Sequence, residues 1–185
     1  FDGANHTLTS TTRLDGTVRA VFAVLKQSGA QSWRQFMGDG TKDDFSPGST
    51  TFWSSGYASP SVLNGETWLN GVLVNGTTTN RPQSMSVLSL LTAAGVTADR
   101  LFSGKSNYPW LGDIAELIVY TQPLTSNQRK SIEDYLTLKY APFVGTAAAP
   151  QFSPPGGGFA DSVEVSLSTP TPGACGSPRA CRTLS

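Results

Sequence analysis

Residues 110–140, WLGDIAELIVYTQPLTSNQRKSIEDYLTLKY, constrain the fold most, because they combine one apolar strand, a turn and one amphipathic helix. Within them, 114–120 alternates two apolar faces: Ile114, Ile118 and Tyr120 on one, and Ala115, Leu117 and Val119 on the other. Alternation of this kind predicts a strand that is covered by other layers on both sides and lies inside a sheet.

The helix that follows has a clear beginning. Thr125 and Gln128 have the spacing of a capping box, and Leu124 can act as the staple residue before it. Apolar residues then recur at helical spacing: Ile132, Tyr135, Leu136 and Tyr140. The pattern predicts one short helix over about 125–139, with one face to bury.

The rest of the chain has the pattern of short strands separated by Gly, Asn, Pro and Ser. Residues 18–25 form another doubly apolar strand after the turn residues Asp15 and Gly16, and 85–91 and 100–103 are further strands. Asn70–Gly71 and Asn75–Gly76 are both hairpin signals, and one of them should close a tight hairpin. We therefore predict an all-β fold, a two-sheet antiparallel jelly-roll sandwich with one peripheral helix.

Length and composition set the domain organisation. A chain of 185 residues suits one domain and a short remainder. We place a sandwich at 1–143, a linker at 144–150, and a truncated β module or extended tail at 151–185. Cys175 and Cys181 lie in that tail at a spacing that would allow a small disulfide, with no Cys or His nearby to complete a zinc set. Because the chain begins at Phe1, we expect a processed or excised amino terminus.

The charge and hydropathy of the chain limit the classes of partner that it is expected to bind. The 13 basic and 13 acidic residues cancel, and no basic stripe is present, which argues against a nucleic-acid partner. The apolar runs are too short for a membrane span. A single histidine, His6, leaves little room for Ser–His catalysis and is expected to be a solvated residue at a strand end. Low charge with abundant Ser, Thr, Gly and Asn is typical of secreted β domains.

Four phrases, FDGANHTL, TVRAVFAVLK, NGVLVNG and GDIAELIVYTQPLTSNQRKSIEDYLTLKY, carry a resemblance over residues 1 to about 143. They resemble the laminin-G-like branch of the concanavalin A-like lectin/glucanase superfamily. Members often begin with another strand and a Trp-containing stretch before the FDG phrase, so we expect the natural first strand to be missing here. Residues 150–174 are similar to the opening of the C-terminal β module of chitobiase-type proteins.

What this resemblance implies is a jelly roll used to bind carbohydrate, to bind protein, or to cleave β-glycans, and the fold alone does not choose among these uses. We favour a non-catalytic carbohydrate-binding module of a larger secreted or cell-surface bacterial protein that acts on polysaccharide. Its partners would be a polysaccharide or oligosaccharide and the other domains of the parent protein. A glycoside hydrolase and a structural or protein-binding adhesion domain are the alternatives.

Carbohydrate binding calls for aromatic faces beside planar amides and carboxylates. The candidate binding residues lie in Gly, Ser, Pro and Asn-rich segments: Trp33, Trp53, Tyr57, Asn64, Asn107, Tyr108, Trp110 and Asp113. Trp68 and Asn75 are further candidates near the hairpin. We expect at least one aromatic pair, Trp53 with Tyr57 or Tyr108 with Trp110, to be exposed.

Two acidic sets support minor hypotheses. Asp39, Asp43 and Asp44 lie in a Gly-rich loop that could hold calcium, although their spacing matches no known calcium motif, and no cofactor is favoured. A hydrolase would need two carboxylates, for which Glu116 with Glu66 is the available pair. No catalytic residue is favoured, and a mid-strand Glu116 more often has a structural role.

Overall fold

The computed structural model describes residues 1–4, 7–140, 151–153 and 166–168. Its main sheet is antiparallel and has six strands: β1 (Leu8–Gln27), β2 (Met37–Gly38), β3 (Glu66–Leu69), β4 (Val72–Val74), β5 (Ser86–Leu101) and β6 (Gly112–Tyr120). The helices are α1 (Pro60–Leu63) and α2 (Ser126–Lys139). A separate two-stranded pairing joins β7 (Gln151–Ser153) to β8 (Ser166–Ser168). Of the predicted all-β sandwich with one helix at about 125–139, the mostly β content and that helix are confirmed, whereas α1 was not predicted.

The strands lie in the order β4-β3-β5-β1-β6, and β2 pairs with the far end of β5. The second half of β1 therefore has a neighbour on each side, with Phe22 opposite Ser89 of β5 and Ile118 of β6. This confirms that residues 18–25 form a central strand.

β1 and β5 are longer than the sequence suggested. The residues that were predicted to form a turn lie instead within β1, where the pairing with β5 is irregular. Asp15 and Gly16 were expected to end a segment, yet β1 continues through them, with register shifts against β5 between Thr9 and Ala20. Gly16 has a φ of +63°, and a Cβ on Gly95 of β5 would lie 1.8 Å from the carbonyl oxygen of Gly16. The two glycines let the strands approach closely, so the predicted strands 85–91 and 100–103 are one strand.

The sheet has a hydrophobic core on each face. On one face, Val21, Ala23 and Leu25 of β1 belong to a cluster completed largely by the irregular segment 28–59 and α1, which contribute Phe36, Phe45, Phe52, Trp53 and Val62. On the other face, Ala20, Phe22 and Val24 pack with Leu136 of α2. β1 is thus covered by irregular chain on one side and by a helix on the other.

Among the described strands, β6 lies at the edge of the sheet, contrary to the expectation that it lies inside. It is nevertheless covered on both faces, since Leu117 and Val119 pack on the first cluster and Ile118 and Tyr120 on the second. A one-residue shift between 114 and 116 against β1 forms a bulge. Because of it, Ile114 packs with Leu117 and Val119 rather than with Ile118, so the predicted strict alternation is wrong at that residue.

α2 begins as predicted. The Thr125 side chain accepts a hydrogen bond from the Gln128 backbone N–H, and the Gln128 side chain accepts one from Thr125 N at 2.9 Å, so the capping box is complete. Arg129 lies over the Trp68 ring, 3.6 Å from its centroid, and is paired with Glu133. Among the described residues, no helix has the length and apolarity of a membrane span.

The tight hairpin is formed by Asn70–Gly71, which joins β3 to β4. Both residues have positive φ, 51° and 76°, as the favoured two-residue turn requires. Asn75 instead ends β4 in a local turn in which its Oδ1 accepts from Thr77 N and Thr77 Oγ1.

Within the described ranges, no second sheet packs face to face on the six-stranded one, and irregular chain occupies that place. Several expectations fall on residues outside the described ones: His6, the linker 144–150, most of the module at 151–185, and the pair Cys175 and Cys181.

Candidate functional site

Two loops that are distant in sequence run side by side. The backbone N–H of Gln35 donates to the carbonyl of Tyr108 at 3.0 Å, and Gln35 forms an isolated parallel bridge with Pro109. The guanidinium of Arg34 donates to the Pro109 and Gly3 carbonyls, each at 3.0 Å. These bonds hold segment 33–36 against segment 107–110.

The pairing brings together Trp33 and Tyr108, both predicted binding residues. Their rings stack with centroids 5.9 Å apart and planes inclined by 29°. Trp33 is 40% exposed and Tyr108 is 37% exposed. We call this pair the aromatic platform. It differs from both aromatic pairs that the sequence suggested.

The backbone of the platform is strained. Trp33 has a φ of 56° and Asn107, next to Tyr108, has a φ of 50°, a region that costs about 1 kcal/mol or more for residues other than Gly. The Trp33 N–H donates to Ser49 O at 2.8 Å, and the Asn107 N–H donates to Gly104 O at 3.0 Å. Retained strain of this kind is typical of functional sites.

Asn107 supplies a planar amide beside the platform. Its Oδ1 accepts from Ser103 Oγ at 3.3 Å, and within the described part of the chain its NH₂ group has no hydrogen-bond partner. The nearby Lys105 ammonium pairs with Asp43 at 3.0 Å. The site therefore offers two aromatic faces and an amide donor.

The prediction that Trp53 or Trp110 belongs to an exposed aromatic pair is wrong. Trp53 and Trp110 are both buried in the core, where Trp110 packs edge-on against Phe36 and Trp53 donates from Nε1 to Thr67 Oγ1 at 2.8 Å. Tyr57 is 71% exposed but has no ring partner among the described aromatic residues. The expected pairs Trp53 with Tyr57 and Tyr108 with Trp110 are thus not exposed pairs.

The remaining binding candidates lie on other parts of the chain. Asn64 is the exposed C-cap residue of α1, and Asp113 is exposed on β6 in an ion pair with Lys26 at 2.9 Å. Trp68 is half-buried under Arg129, and Asn75 lies in the turn after β4.

The three aspartates of the proposed calcium loop have separate partners. Asp39 is buried and bonds Arg13 Nε at 2.8 Å, Asp43 pairs with Lys105, and Asp44 accepts from Thr97 N at 2.8 Å. The hydrogen bond from Arg13 holds the pKa of Asp39 far below its usual range. No group of three or more metal-ligating side chains occurs among the described residues.

The two glutamates of the hydrolase alternative are far apart. The register places Glu66 in line with Tyr120, three strands away and four residues beyond Glu116, which amounts to roughly 20 Å. Glycosidase carboxylates lie about 5 to 10 Å apart. A hydrogen bond from Lys139, at 2.9 Å, also lowers the pKa of Glu116, whereas a catalytic acid needs a raised one. The geometry does not support this pair.

Sequence reasoning missed Arg81, which holds the backbone next to Trp33. Arg81 is buried and donates to the side chain of Gln27 and to the carbonyls of Gln31, Gly48, Ser49 and Thr51. It ties together the segment that carries Trp33. No local pattern marks Arg81, because all five acceptors are at least 30 residues away.

Comparison of the sequence with protein-family models, curated proteins and solved structures gives no match.

Proposed function

We propose that this chain is a non-catalytic carbohydrate-binding module of a larger secreted or cell-surface bacterial protein that acts on polysaccharide. The observation that carries the proposal is the stacked, part-exposed pair Trp33 and Tyr108. Sugar rings present apolar C–H faces that stack on aromatic side chains, and their hydroxyls accept from amide donors such as that of Asn107.

The proposal includes a finer architecture, a two-sheet jelly-roll sandwich of the lectin-like kind that the sequence resembles. This architecture is supported by the core contacts of β1 and β5, because the parts of both strands on either side of Gly16 and Gly95 contribute to the same hydrophobic cluster. Leu14 and Leu101 pack on the cluster that also receives Leu117 and Val119 of β6. Bending at Gly16 and Gly95 would let one continuous sheet provide both layers.

The test is a glycan array on the intact protein, with and without calcium, followed by titration calorimetry with the sugars that bind. We expect Trp33→Ala and Tyr108→Ala each to weaken binding by about tenfold or more, because stacked aromatic residues dominate such interfaces. Tyr57→Ala is the matched control, since it removes an exposed aromatic residue that is outside the platform. Absence of binding across the array, or equal losses in all three variants, would refute the proposal.

One specific observation favours the alternative of a protein-binding domain. A groove of about 340 Å³ beside β6 is lined by the apolar residues Leu14, Met37, Ala98, Leu101, Leu117 and Val119 and by polar residues, among them Ser10 and Thr12. Apolar grooves of this kind occur at protein-binding surfaces. Leu117→Ser would abolish partner binding in that case and would leave glycan binding unchanged.

A further inference from the structure

One side of β6 is open to a further strand. Among the described residues, β6 pairs with β1 on one side, and on the other side only residues 1–2 lie against its first residue and the residue before it. An unpaired side of a strand presents a row of backbone N–H and C=O groups that another strand can satisfy. We call this side of residues 114–120 the open edge. The opposite edge of the sheet, β4, has three residues, whereas β6 has nine.

A short antiparallel pairing already lies at the start of this side of β6. The Gly112 N–H donates to the Phe1 carbonyl at 3.0 Å, and the amino group of Phe1 donates to the Gly112 carbonyl at 2.8 Å. Asp2 forms an antiparallel bridge with Leu111. Alternate residues of a strand direct their polar groups to the same side, so Ile114 directs its N–H to the open edge as Gly112 does. This side of β6 therefore accepts an antiparallel backbone.

The second half of the open edge is apolar. Residues 117–120, with the sequence LIVY, are all partly exposed. Leu117 and Val119 belong to one face of the sheet, and Ile118 and Tyr120 belong to the other. The stretch contains no charged residue and no proline, which are the residues that usually protect an edge strand from pairing. A strand added here would remove apolar surface from water on both faces.

A cavity flanks each face of this stretch. The groove of about 340 Å³ that was described above is lined by Leu117 and Val119. On the other face, a cavity of about 340 Å³ is lined by Tyr120, Leu124 and Ile132 and by polar residues of α2. Successive side chains of a strand point to opposite faces, so a strand beside β6 would direct them alternately toward the two cavities. Sites that bind a peptide by strand addition combine backbone pairing with pockets for alternate side chains.

The charged side chains of β6 are already paired. Asp113 pairs with Lys26 and Glu116 pairs with Lys139, each at 2.9 Å. The open edge therefore favours neither sign of charge, and an uncharged segment suits it best.

We propose that the open edge of β6 binds an extended, uncharged segment of a separate polypeptide that has apolar residues at alternate positions. The segment runs antiparallel to β6, in the direction that residues 1–2 already follow. Its backbone bonds the outward groups of β6, and its apolar side chains enter the groove beside Leu117 and Val119. The proposal goes beyond carbohydrate binding and does not depend on it, so Trp33→Ala should leave peptide binding unchanged.

The test uses a capped heptapeptide of alternating valine and threonine, together with two N-methylated forms of it. One form carries the methyl groups on the valine nitrogens and the other on the threonine nitrogens, so each form blocks the backbone donors along one edge of the peptide. Because β6 pairs with only one edge, we expect one form to bind nearly as tightly as the parent peptide and the other to bind at least about tenfold more weakly. Apolar contact without strand pairing would give equal binding of the two forms.

Spectra and variants locate the site. In ¹⁵N–¹H spectra of the full chain, the peptide should shift the signals of residues 114–120, and the Ile114 amide should exchange more slowly with deuterium when the peptide is bound. Val119→Lys should weaken binding at least about tenfold, because a lysine protects an edge strand from pairing. Val72→Lys is the matched control, since it makes the same change on β4, where Val72 is exposed, and it should leave binding unchanged.

Thermal unfolding checks that both lysine variants are folded, and the pair of N-methylated peptides decides the question on the unsubstituted chain if Val119→Lys is not. Equal binding of the two N-methylated forms, shifts centred on β4, equal losses in the two lysine variants, or no binding at millimolar peptide would each overturn the proposal. Self-association of the chain through β6 in place of peptide binding would overturn it as well, in favour of a second copy at the open edge.

Discussion

Arg81 and Trp33 donate hydrogen bonds to the same carbonyl oxygen, that of Ser49, Arg81 from Nη2 at 2.7 Å and Trp33 from its backbone N at 2.8 Å. Arg81 is buried, and burial lowers the pKa of its guanidinium to about 10, with a smaller contribution from the charge of Arg34. It therefore remains charged at neutral pH. An exposed aromatic residue is thus held in place through a buried cation.

The first prediction concerns this buried cation. Arg81→Met should lower the free energy of unfolding by about 3 kcal/mol, because Gln27 and the four carbonyls that accept from Arg81 lose a donor. Urea denaturation measures the change. The control is Lys130→Met, which removes an exposed pair with Asp134 and should cost less than about 0.5 kcal/mol. A similar small loss in both variants would contradict the structural role of Arg81.

The second prediction concerns the contact between the turn after β4 and the core. Gly76→Ala should destabilise the protein by about 2 kcal/mol, because the new Cβ would lie 2.2 Å from Cδ1 and 2.5 Å from Nε1 of the buried Trp53. Gly56→Ala is the matched control: a Cβ there meets nothing within 4 Å, so thermal unfolding should be nearly unchanged. If the two variants melt together, the turn does not pack on Trp53 as described.

The parts of the fold that could be predicted depend on local signals. The capping box at Thr125 and Gln128 marks the start of α2, and Asn70–Gly71 forms a hairpin because both residues adopt positive φ. The continuity of β1 and β5 could not be read in this way. It depends on the close approach of Gly16 and Gly95, 79 positions apart, and each looks like a turn residue in its own segment.

The site was harder to predict than the fold, for the same reason. Trp33, Trp53 and Trp110 all lie in Gly, Ser and Pro-rich segments, yet only Trp33 of the three is exposed. What separates them is the long-range packing of each segment: Trp53 and Trp110 pack with Phe36 in the core, whereas Trp33 stacks on Tyr108 at the surface. That distinction depends on long-range bonds such as those of Arg34 and Arg81.

The third prediction tests the strained backbone beside Tyr108. Asn107 has a φ of 50°, so Asn107→Gly should be about 1 kcal/mol more stable than Asn107→Ala, and both lose the same bond from Ser103. The same pair of changes at Ser131, an exposed residue within α2, should give the opposite order, because Ala is the better helix former. Chemical denaturation of the four variants provides the comparison, and the same order at both positions would exclude strain at Asn107.

The fourth prediction concerns the attachment of α2 to the sheet. Because Arg129 lies 3.6 Å from the centroid of the Trp68 ring, a double-mutant cycle of Arg129→Met and Trp68→Leu should give a coupling free energy of about 1–2 kcal/mol. A cycle between Lys130→Met and Trp68→Leu is the control, since Lys130 is exposed and paired with Asp134. It should give a coupling close to zero, and an equal coupling in the two cycles would place α2 differently on the sheet.

The fifth prediction is a pH dependence that originates at Asp39. Its carboxylate accepts from Arg13, from Thr41 and from the backbone N–H of Lys42, and the bond from Arg13 is the main reason why its pKa is depressed. Because the folded pKa lies below the unfolded value of about 3.9, the stabilisation is fully present above that value. It is lost as the pH falls through the folded pKa.

Asp39→Asn should therefore cost about 2 kcal/mol at pH 7, and the difference from the unsubstituted protein should shrink as the pH falls below about 4. Urea denaturation between pH 7 and pH 2.5 measures both quantities. Other carboxyl groups whose pKa is lowered, such as that of Glu116, also reduce stability in acid. They act equally in the unsubstituted protein and in Asp39→Asn, so the difference in unfolding free energy between these two proteins reports on Asp39. Asp134→Asn, at an exposed carboxylate, should show a small difference that varies little with pH. A difference for Asp39→Asn that stays constant down to pH 2.5 would mean that the ion pair with Arg13 does not lower the pKa of Asp39 in solution.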